Sequence, residues 1–156
     1  DDVIATLAFS LHKENEIVIA SADKDMNQLL VYDNVRIYNP AKKDFFNSDD
    51  CFKKFEVQPR NFTFYQAFVG DASDNIQGIK GVGPKTAVKL INKYETIENF
   101  VNDTESKYQK DIDDFKNSLE LVTLSTCVPI TIEGYSKQNF KTKEFKEFCK
   151  LMEIRG

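Results

Sequence analysis

Three pairs of aspartates stand out in the sequence: Asp1 and Asp2, Asp23 and Asp25, and Asp71 and Asp74. Hard oxygen ligands with neither His nor Cys beside them suit Mg²⁺ or Mn²⁺ and not Zn²⁺. Six carboxylates brought together would repel one another unless cations lay between them. Each pair also has a purely structural explanation. Asp1 and Asp2 precede a helical pattern, where acids interact favourably with the helix dipole. Asp23 and Asp25 follow an apolar run, a place where α/β folds bind ligands and equally where a helix cap belongs. In an extended segment their alternate spacing would point both carboxylates the same way. Asp71 and Asp74 lie in Gly70-Asp71-Ala72-Ser73-Asp74-Asn75, whose residues are ordinary turn formers.

A fourth feature is basic. In Gly78-Ile79-Lys80-Gly81-Val82-Gly83-Pro84-Lys85-Thr86-Ala87 the glycines permit a tight hairpin and Pro84 suits a first helical position, leaving backbone N–H groups free for a phosphate. Lys85, Lys89 and Lys93 then follow at four-residue spacing on one side of a helix, while Ala87, Leu90, Ile91 and Tyr94 face a core. From Lys80 to Tyr94 there are four Lys and no acid. A solvated helix face would explain the lysines alone. Beside the glycine hairpin, contact with a nucleic-acid backbone through Lys80, Gly81, Gly83, Lys85, Thr86, Lys89 and Lys93 explains more.

These groups need elements to hold them. Val3, Ile4, Leu7, Ala8 and Leu11 recur at helical spacing, predicting a helix over 1–13 with its apolar stripe toward a core. Residues 16–21 form a short apolar run with β-branched members, the pattern of a parallel strand buried on both faces. A short helix over 25–30 and a strand over 35–38 follow. From about residue 48 the pattern turns helical, with segments at 49–55, 61–68, 85–93, 97–102 and 108–121. Residues 122–132 read as an extended segment near a sheet edge, and 142–152 as a Phe-rich closing helix. The fold class is therefore α/β, passing at about residue 47 into a mainly helical region that runs to 156.

The chain has 156 residues, 25 acidic and 21 basic, for a net charge of -4. Hydrophobic residues make up 41%, thirteen of them Phe, enough for a core and incompatible with the composition of disorder. The acidic total excludes attraction of DNA by bulk charge, so an anionic partner must meet the local lysines. Cys51, Cys127 and Cys149 show no metal-ligand spacing and read as reduced, buried thiols. No apolar run reaches a membrane span, which predicts an intracellular protein without a membrane partner. His12, at a helix end among polar residues, reads as exposed and structural. The chain opens on Asp1 without a Met and passes directly into a helix, and two strands make a small sheet, so a longer parent with strands upstream is expected.

Taken in order and spacing, Ser21-Ala22-Asp23-Lys24-Asp25-Met26-Asn27-Gln28-Leu29-Leu30, Gly70 to Asn75, and Gly78 to Ala87 resemble the 5′ nuclease family. The likeness is to the 5′-3′ exonuclease domain of bacterial DNA polymerase I and, at greater distance, to flap endonucleases. Asp1-Asp2-Val3-Ile4-Ala5 resembles the tail of that family's Glu-x-Asp-Asp motif. The resemblance implies a mostly parallel, PIN-like nuclease core followed by a helix-hairpin-helix at about 66–94. It implies two ions, Mg²⁺ or Mn²⁺, held by Asp1, Asp2, Asp23, Asp25, Asp71 and Asp74, with Asp1, Asp23, Asp25 and Asp74 matching ligand positions.

It further implies hydrolysis of phosphodiesters in nicked or flapped DNA during replication and repair, in bacterial cytoplasm, nucleoid or an organelle of bacterial type. A potassium ion at the hairpin carbonyls and a polymerase domain later in the same parent chain belong to the same expectation. Lys24, between two ligand positions, is placed to help neutralise them. Other ligands and a basic arch that threads the flap would lie upstream, so this piece alone is expected to be inactive. The rival reading is a non-catalytic helix-hairpin-helix DNA-binding module, with the acids as caps.

Overall fold

The computed structural model describes residues 1–131 and, beyond them, Lys143, Glu147, Lys150 and Leu151. Helix α1 (Asp2–Leu11) leads into strand β1 (Ile17–Ala20), and a 3-10 helix (Lys24–Val31) connects it to β2 (Val35–Asn39) and β3 (Asp44–Phe46). Strands β1 and β2 run parallel, with Ile19 opposite Ile37, and β3 returns antiparallel on β2. The sheet is thus three-stranded and mixed, in the order β1-β2-β3. Only a crossover can join parallel neighbours, and the 3-10 helix supplies it, burying Met26, Leu29 and Leu30 against the sheet.

Two expectations change here. β1 is open on one face, since Val18 is 50% exposed while Ile19 is buried. Helix α1 buries Ala5, Thr6 and Ala8, whereas Val3 is exposed and Ile4, Leu7 and Leu11 line an open groove with β1. Small side chains let α1 approach the core closely, and its larger ones are left on the groove side.

The remainder is helical. Helix α2 (Ser48–Phe55) begins with a capping box in which Asn47 and Asp50 satisfy each other's backbone N–H groups. It is followed by α3 (Phe62–Val69) and a short hairpin of β4 (Gly70–Asp71) and β5 (Ile76–Gln77). Then come α4 (Pro84–Tyr94), α5 (Ile97–Asn102, capped by Thr96) and α6 (Ile112–Val122). Phe64 and Phe68 of α3 meet Phe100 of α5 and Phe115 of α6, with ring centroids of 4.7 Å for Phe68–Phe100 and 4.8 Å for Phe100–Phe115. Tyr94 of α4 joins edge-on at 5.1 Å from Phe100. Four of the thirteen Phe form this knot, which joins the sheet layer in one continuous core.

Beyond α6, residues 123–131 do not lie on a sheet edge as expected. They cross α1, where Ser125 N–H donates to Asp2 Oδ1 at 2.9 Å and Val128 N–H donates to Thr6 Oγ1 at 3.1 Å. This segment carries Cys127, which is exposed, so only Cys51 of the described thiols is buried. Burial pushes the Cys51 thiol up to about 11. His12 is half-buried and not fully exposed, stacked on Tyr32 with centroids 4.1 Å apart. Cys149 and most of the expected 142–152 helix lie outside the described residues.

Phe100 sits at the centre of the aromatic knot at 1% exposure. Phe100→Ala should cost about 3–5 kcal/mol of stability, read as a lower urea midpoint by circular dichroism. A loss below about 1 kcal/mol would show that the knot is not the core's main support.

Candidate metal centre and nucleic-acid interface

Asp25 lies in the second position of the 3-10 helix, one turn from the end of β1. Asp71 ends β4, and Asp74 follows in the tight turn before β5. One carboxylate oxygen from each of the three lies within 4.8 Å of the others. Asp25 and Asp71 are buried, and Asp74 is exposed. Two strands of chain far apart in sequence are thus brought to one point, and the bridge between them is α3.

Gln66 of α3, 1% exposed, donates from Nε2 to Asp25 Oδ1. Its Oε1 accepts from Gln28 Nε2 at 3.0 Å, and Gln28 in turn donates to Val122 O at 2.7 Å and accepts from Thr63 Oγ1 and Leu124 N–H. The C-terminal end of the same helix launches Asp71. There Gly70 has φ +75, and a Cβ on it would lie 2.3 Å from Gly78 N. A Cβ on Gly78 would lie 2.2 Å from Phe68 O, so the two glycines let the ends of the hairpin close on α3. Ile79 N–H locks them there with a 2.9 Å bond to Phe68 O.

The two buried acids are tuned in opposite directions. Burial raises the Asp25 pKa, Gln66 opposes that by donating to the ionised form, and Asp23, Asp71 and Asp74 add repulsion. For Asp71 burial also pushes upward, but Lys24 and the hydroxyl and N–H of Ser73 outweigh it and hold the pKa below the ordinary value. Lys24 Nζ lies 2.8 Å from Asp71 Oδ2, so its partner is Asp71 and not the two acids that flank it in sequence. Ser73 N–H donates to Asp71 Oδ1 at 2.9 Å, and Ser73 Oγ donates to the same oxygen.

The other three acids stand apart from this group. Asp23 does not alternate with Asp25 along an extended strand: its Oδ1 accepts from Asp25 N–H at 2.9 Å and caps the 3-10 helix. Asp1 occupies the N-cap of α1 without a side-chain cap bond, and Asp2 holds Ser125. The three that do converge offer only carboxylate oxygens, a donor set that suits a hard divalent cation.

The lysine face is organised by α4, which buries Ala87, Leu90, Ile91 and Tyr94 as their spacing predicts. Gly81 has φ +81, a conformation glycine adopts without strain, and space beside Gly81 and Gly83 is open. Gly83 O accepts from Thr86 N–H at 3.0 Å and Ala87 N–H at 2.9 Å, starting the helix. Lys80, Lys85 and Lys89 are exposed. Lys93 differs: its Nζ donates to Tyr94 OH at 2.8 Å and lies 3.6 Å from Asp103 Oδ2. An acid from the next helix end therefore offsets the last of the four charges.

Residues 57–147 match the family model described as "5'-3' exonuclease, C-terminal SAM fold", more than half of the chain. The chain belongs to the 5′-3′ exonuclease family. Its relatives include a 5′-3′ exonuclease of Aquifex aeolicus, 39% identical over 92% of this chain and 50% of that protein. DNA polymerase I of Bacillus subtilis is 31% identical over 100% of this chain and 20% of its own length. The chain thus spans about half the length of the Aquifex relative. A solved structure of the bacteriophage T5 flap endonuclease, in a pseudo-enzyme-product complex with DNA and metal ions, shares the fold. Its TM-score is 0.65 at 22% identity, covering 78% of this chain and 45% of that one.

For this member of the 5′-3′ exonuclease family, sequence reasoning overlooked Gln66, Gln28, Ser73 and the Gly70–Gly78 closure. Gln66 carried a signal, as the one amide in the otherwise apolar stretch Phe64-Tyr65-Gln66-Ala67-Phe68-Val69. A buried amide on an apolar helix needs partners, and the partner is the site.

Because the folded state holds the Asp25 proton more tightly than the unfolded chain, ionising it costs stability as pH rises from the ordinary value through the folded one. Gln66→Leu should raise the Asp25 carboxyl pKa further and extend that window upward, as read by ¹³C NMR of aspartate carboxyls. An unchanged titration would mean that Gln66 only fills space.

Proposed function

We propose that the intact protein carrying this chain is a metal-dependent 5′-3′ exonuclease and flap endonuclease acting on nicked or 5′-flapped DNA. The observation that carries this reading is the convergence of Asp25, Asp71 and Asp74 in a family member. Asp25, Asp71 and Asp74 would hold a divalent ion, with Asp1, Asp2 and Asp23 approaching a second when the rest of the site is present. Bound Mg²⁺ or Mn²⁺ would supply an activated water and charge stabilisation at the scissile phosphate. The chain's own residues aim the carboxylates: Gln66 donates to Asp25, and Ser73 donates to Asp71.

The helix-hairpin-helix at about 66–94 would grip the duplex through the backbone of Gly81 and Gly83, the start of α4 at Thr86, and Lys80, Lys85, Lys89 and Lys93. Its exposed lysines and open glycine edges support that role. A potassium ion at the hairpin belongs to the same proposal. The parallel β1–β2 pair and the open groove beside α1 support residues 1–47 as part of a larger, mostly parallel PIN-like core. Residues 48–156 would be the helical region docked on it. Relatives of both kinds support a parent that is either a separate exonuclease or one continuing into a polymerase. Among the described residues no helix is long and apolar enough to cross a membrane, and the bacterial relatives support an intracellular setting.

In the intact protein, Asp74→Asn should lower Mg²⁺-dependent cleavage of a 5′-flap substrate by at least about 10²-fold while leaving duplex binding in place. The 156-residue chain alone should not cleave. A DNA-binding module with structural acids would show no cleavage for the substitution to remove.

Lys85→Glu with Lys89→Glu should weaken binding to nicked duplex regardless of sequence and reduce the salt slope by roughly 2, about one per phosphate contact. Lys93→Ala should reduce it by less, because Asp103 and Tyr94 already occupy its ammonium. An unchanged slope in the double variant would remove α4 from the interface.

A further inference from the structure

Lys24 does more at the acidic cluster than lower its net charge. We propose that its ammonium is the resident cation of the site, occupying the oxygen of Asp71 that a divalent ion must take, so that metal entry and release of Lys24 are one exchange. The inference rests on the metal-site reading of Asp25, Asp71 and Asp74.

The argument begins with which oxygens are free. Asp71 is 3% exposed, and both its oxygens are engaged: Oδ1 accepts the N–H and hydroxyl of Ser73, and Oδ2 accepts Lys24 Nζ at 2.8 Å. Ser73 sits two residues away in the same turn and is fixed with it, so Oδ1 stays committed. Oδ2 is held by the end of a flexible four-carbon stem that is 38% exposed. It is the oxygen that can change partners. One of Asp25's oxygens is likewise fixed, by Gln66.

An ammonium and a divalent cation cannot both sit on Oδ2 cheaply. Two like charges at contact distance repel strongly where water only partly shields them, and a divalent ion doubles that repulsion. The carboxylates, conversely, need one of the two. Without a cation, Asp25, Asp71 and Asp74 would repel at the separations seen here. Lys24 therefore supports the metal-free site and opposes the loaded one.

Its exit is built in. Lys24 also lines an open cavity of about 170 Å³, together with Asp23, Lys42, Asp44 and Lys54. The carboxylate of Asp44 offers an acceptor near which a released ammonium can settle. Lys42 and Lys54 keep that cavity from being a better cation site than the cluster itself.

Mn²⁺ titration of the intact protein, followed by electron paramagnetic resonance of the free ion, tests the exchange. Lys24→Met should bind Mn²⁺ about tenfold more tightly than the wild type, whereas Lys24→Arg, which keeps the charge, should not gain affinity. In the wild type, chemical acetylation of Lys24 read by mass spectrometry should rise several-fold when Mg²⁺ saturates the site, which needs no variant to fold. Equal or weaker Mn²⁺ binding by Lys24→Met, or Lys24 reactivity that ignores bound Mg²⁺, would overturn the exchange while leaving the metal site standing. Absence of Mn²⁺ binding by both wild type and Lys24→Met would overturn the metal-site reading and this inference with it.

Discussion

Bringing Asp25, Asp71 and Asp74 to within 4.8 Å of one another is the constraint to which the neighbouring structure answers. Like charges at such distances push each other toward protonation, and burial of two of them adds to the cost. The fold meets this with donors and a cation placed individually. Gln66 donates to Asp25, Ser73 donates twice to one oxygen of Asp71, and Lys24 neutralises the other. The opposite pKa directions of the two buried acids follow from that allotment: a neutral amide does not overcome the burial of Asp25, whereas an ammonium together with the two Ser73 donors overcomes that of Asp71. Asp74 lies exposed at the turn.

Each of those donors depends on packing farther out. Gln66 is buried on the face of α3 that meets the 3-10 helix, while Phe64 and Phe68 of the same helix carry the aromatic knot. Its orientation is set by Gln28, whose own amide is tied to Val122 and Leu124 at the end of α6. The end of α6 is in turn followed by the segment that Asp2 and Thr6 hold against α1. Elements from both ends of the described chain thus converge on one carboxylate. Asp2, proposed as an approach to a second ion, serves meanwhile as the acceptor that closes this circuit.

What was legible in the sequence is what local chemistry decides. The helix at 97–102 is found at Ile97–Asn102, and 49–55 at Ser48–Phe55, since amphipathic spacing and caps speak within a few residues. The buried face of α4 was readable for the same reason. Strands β3, β4 and β5 were not, because two or three residues carry no period. The expected helix at 25–30 is a 3-10 helix from Lys24 to Val31, entered through the cap that Asp23 makes with Asp25 N–H. That bond holds the Asp23 carboxylate on the backbone N–H of Asp25, outside the group that Asp25 forms with Asp71 and Asp74. Likewise Asp103 was invisible beside Lys93, since their meeting depends on how α5 ends and not on the α4 sequence. Motif spacing proposed which acids could converge; side-chain bonding between distant elements selected Asp25, Asp71 and Asp74.

The same glycine closure that forms the acidic turn also fixes its distance from the lysine face. Gly70 and Gly78 lie against each other and against Phe68 O, and Ile79 N–H bonds to that carbonyl. Residues 71–77 therefore leave and return at one point on α3, and the glycine hairpin at 81–83 begins only three residues later. Neither turn can slide relative to the other without parting Ile79 from Phe68. A side chain at either glycine would force that parting, because its Cβ would meet backbone atoms and not a movable side chain. The proposed grip on a duplex and the proposed metal site would be held at a fixed span by this closure. In this chain the span between the acidic turn and the lysine face is a matter of two glycines and one hydrogen bond.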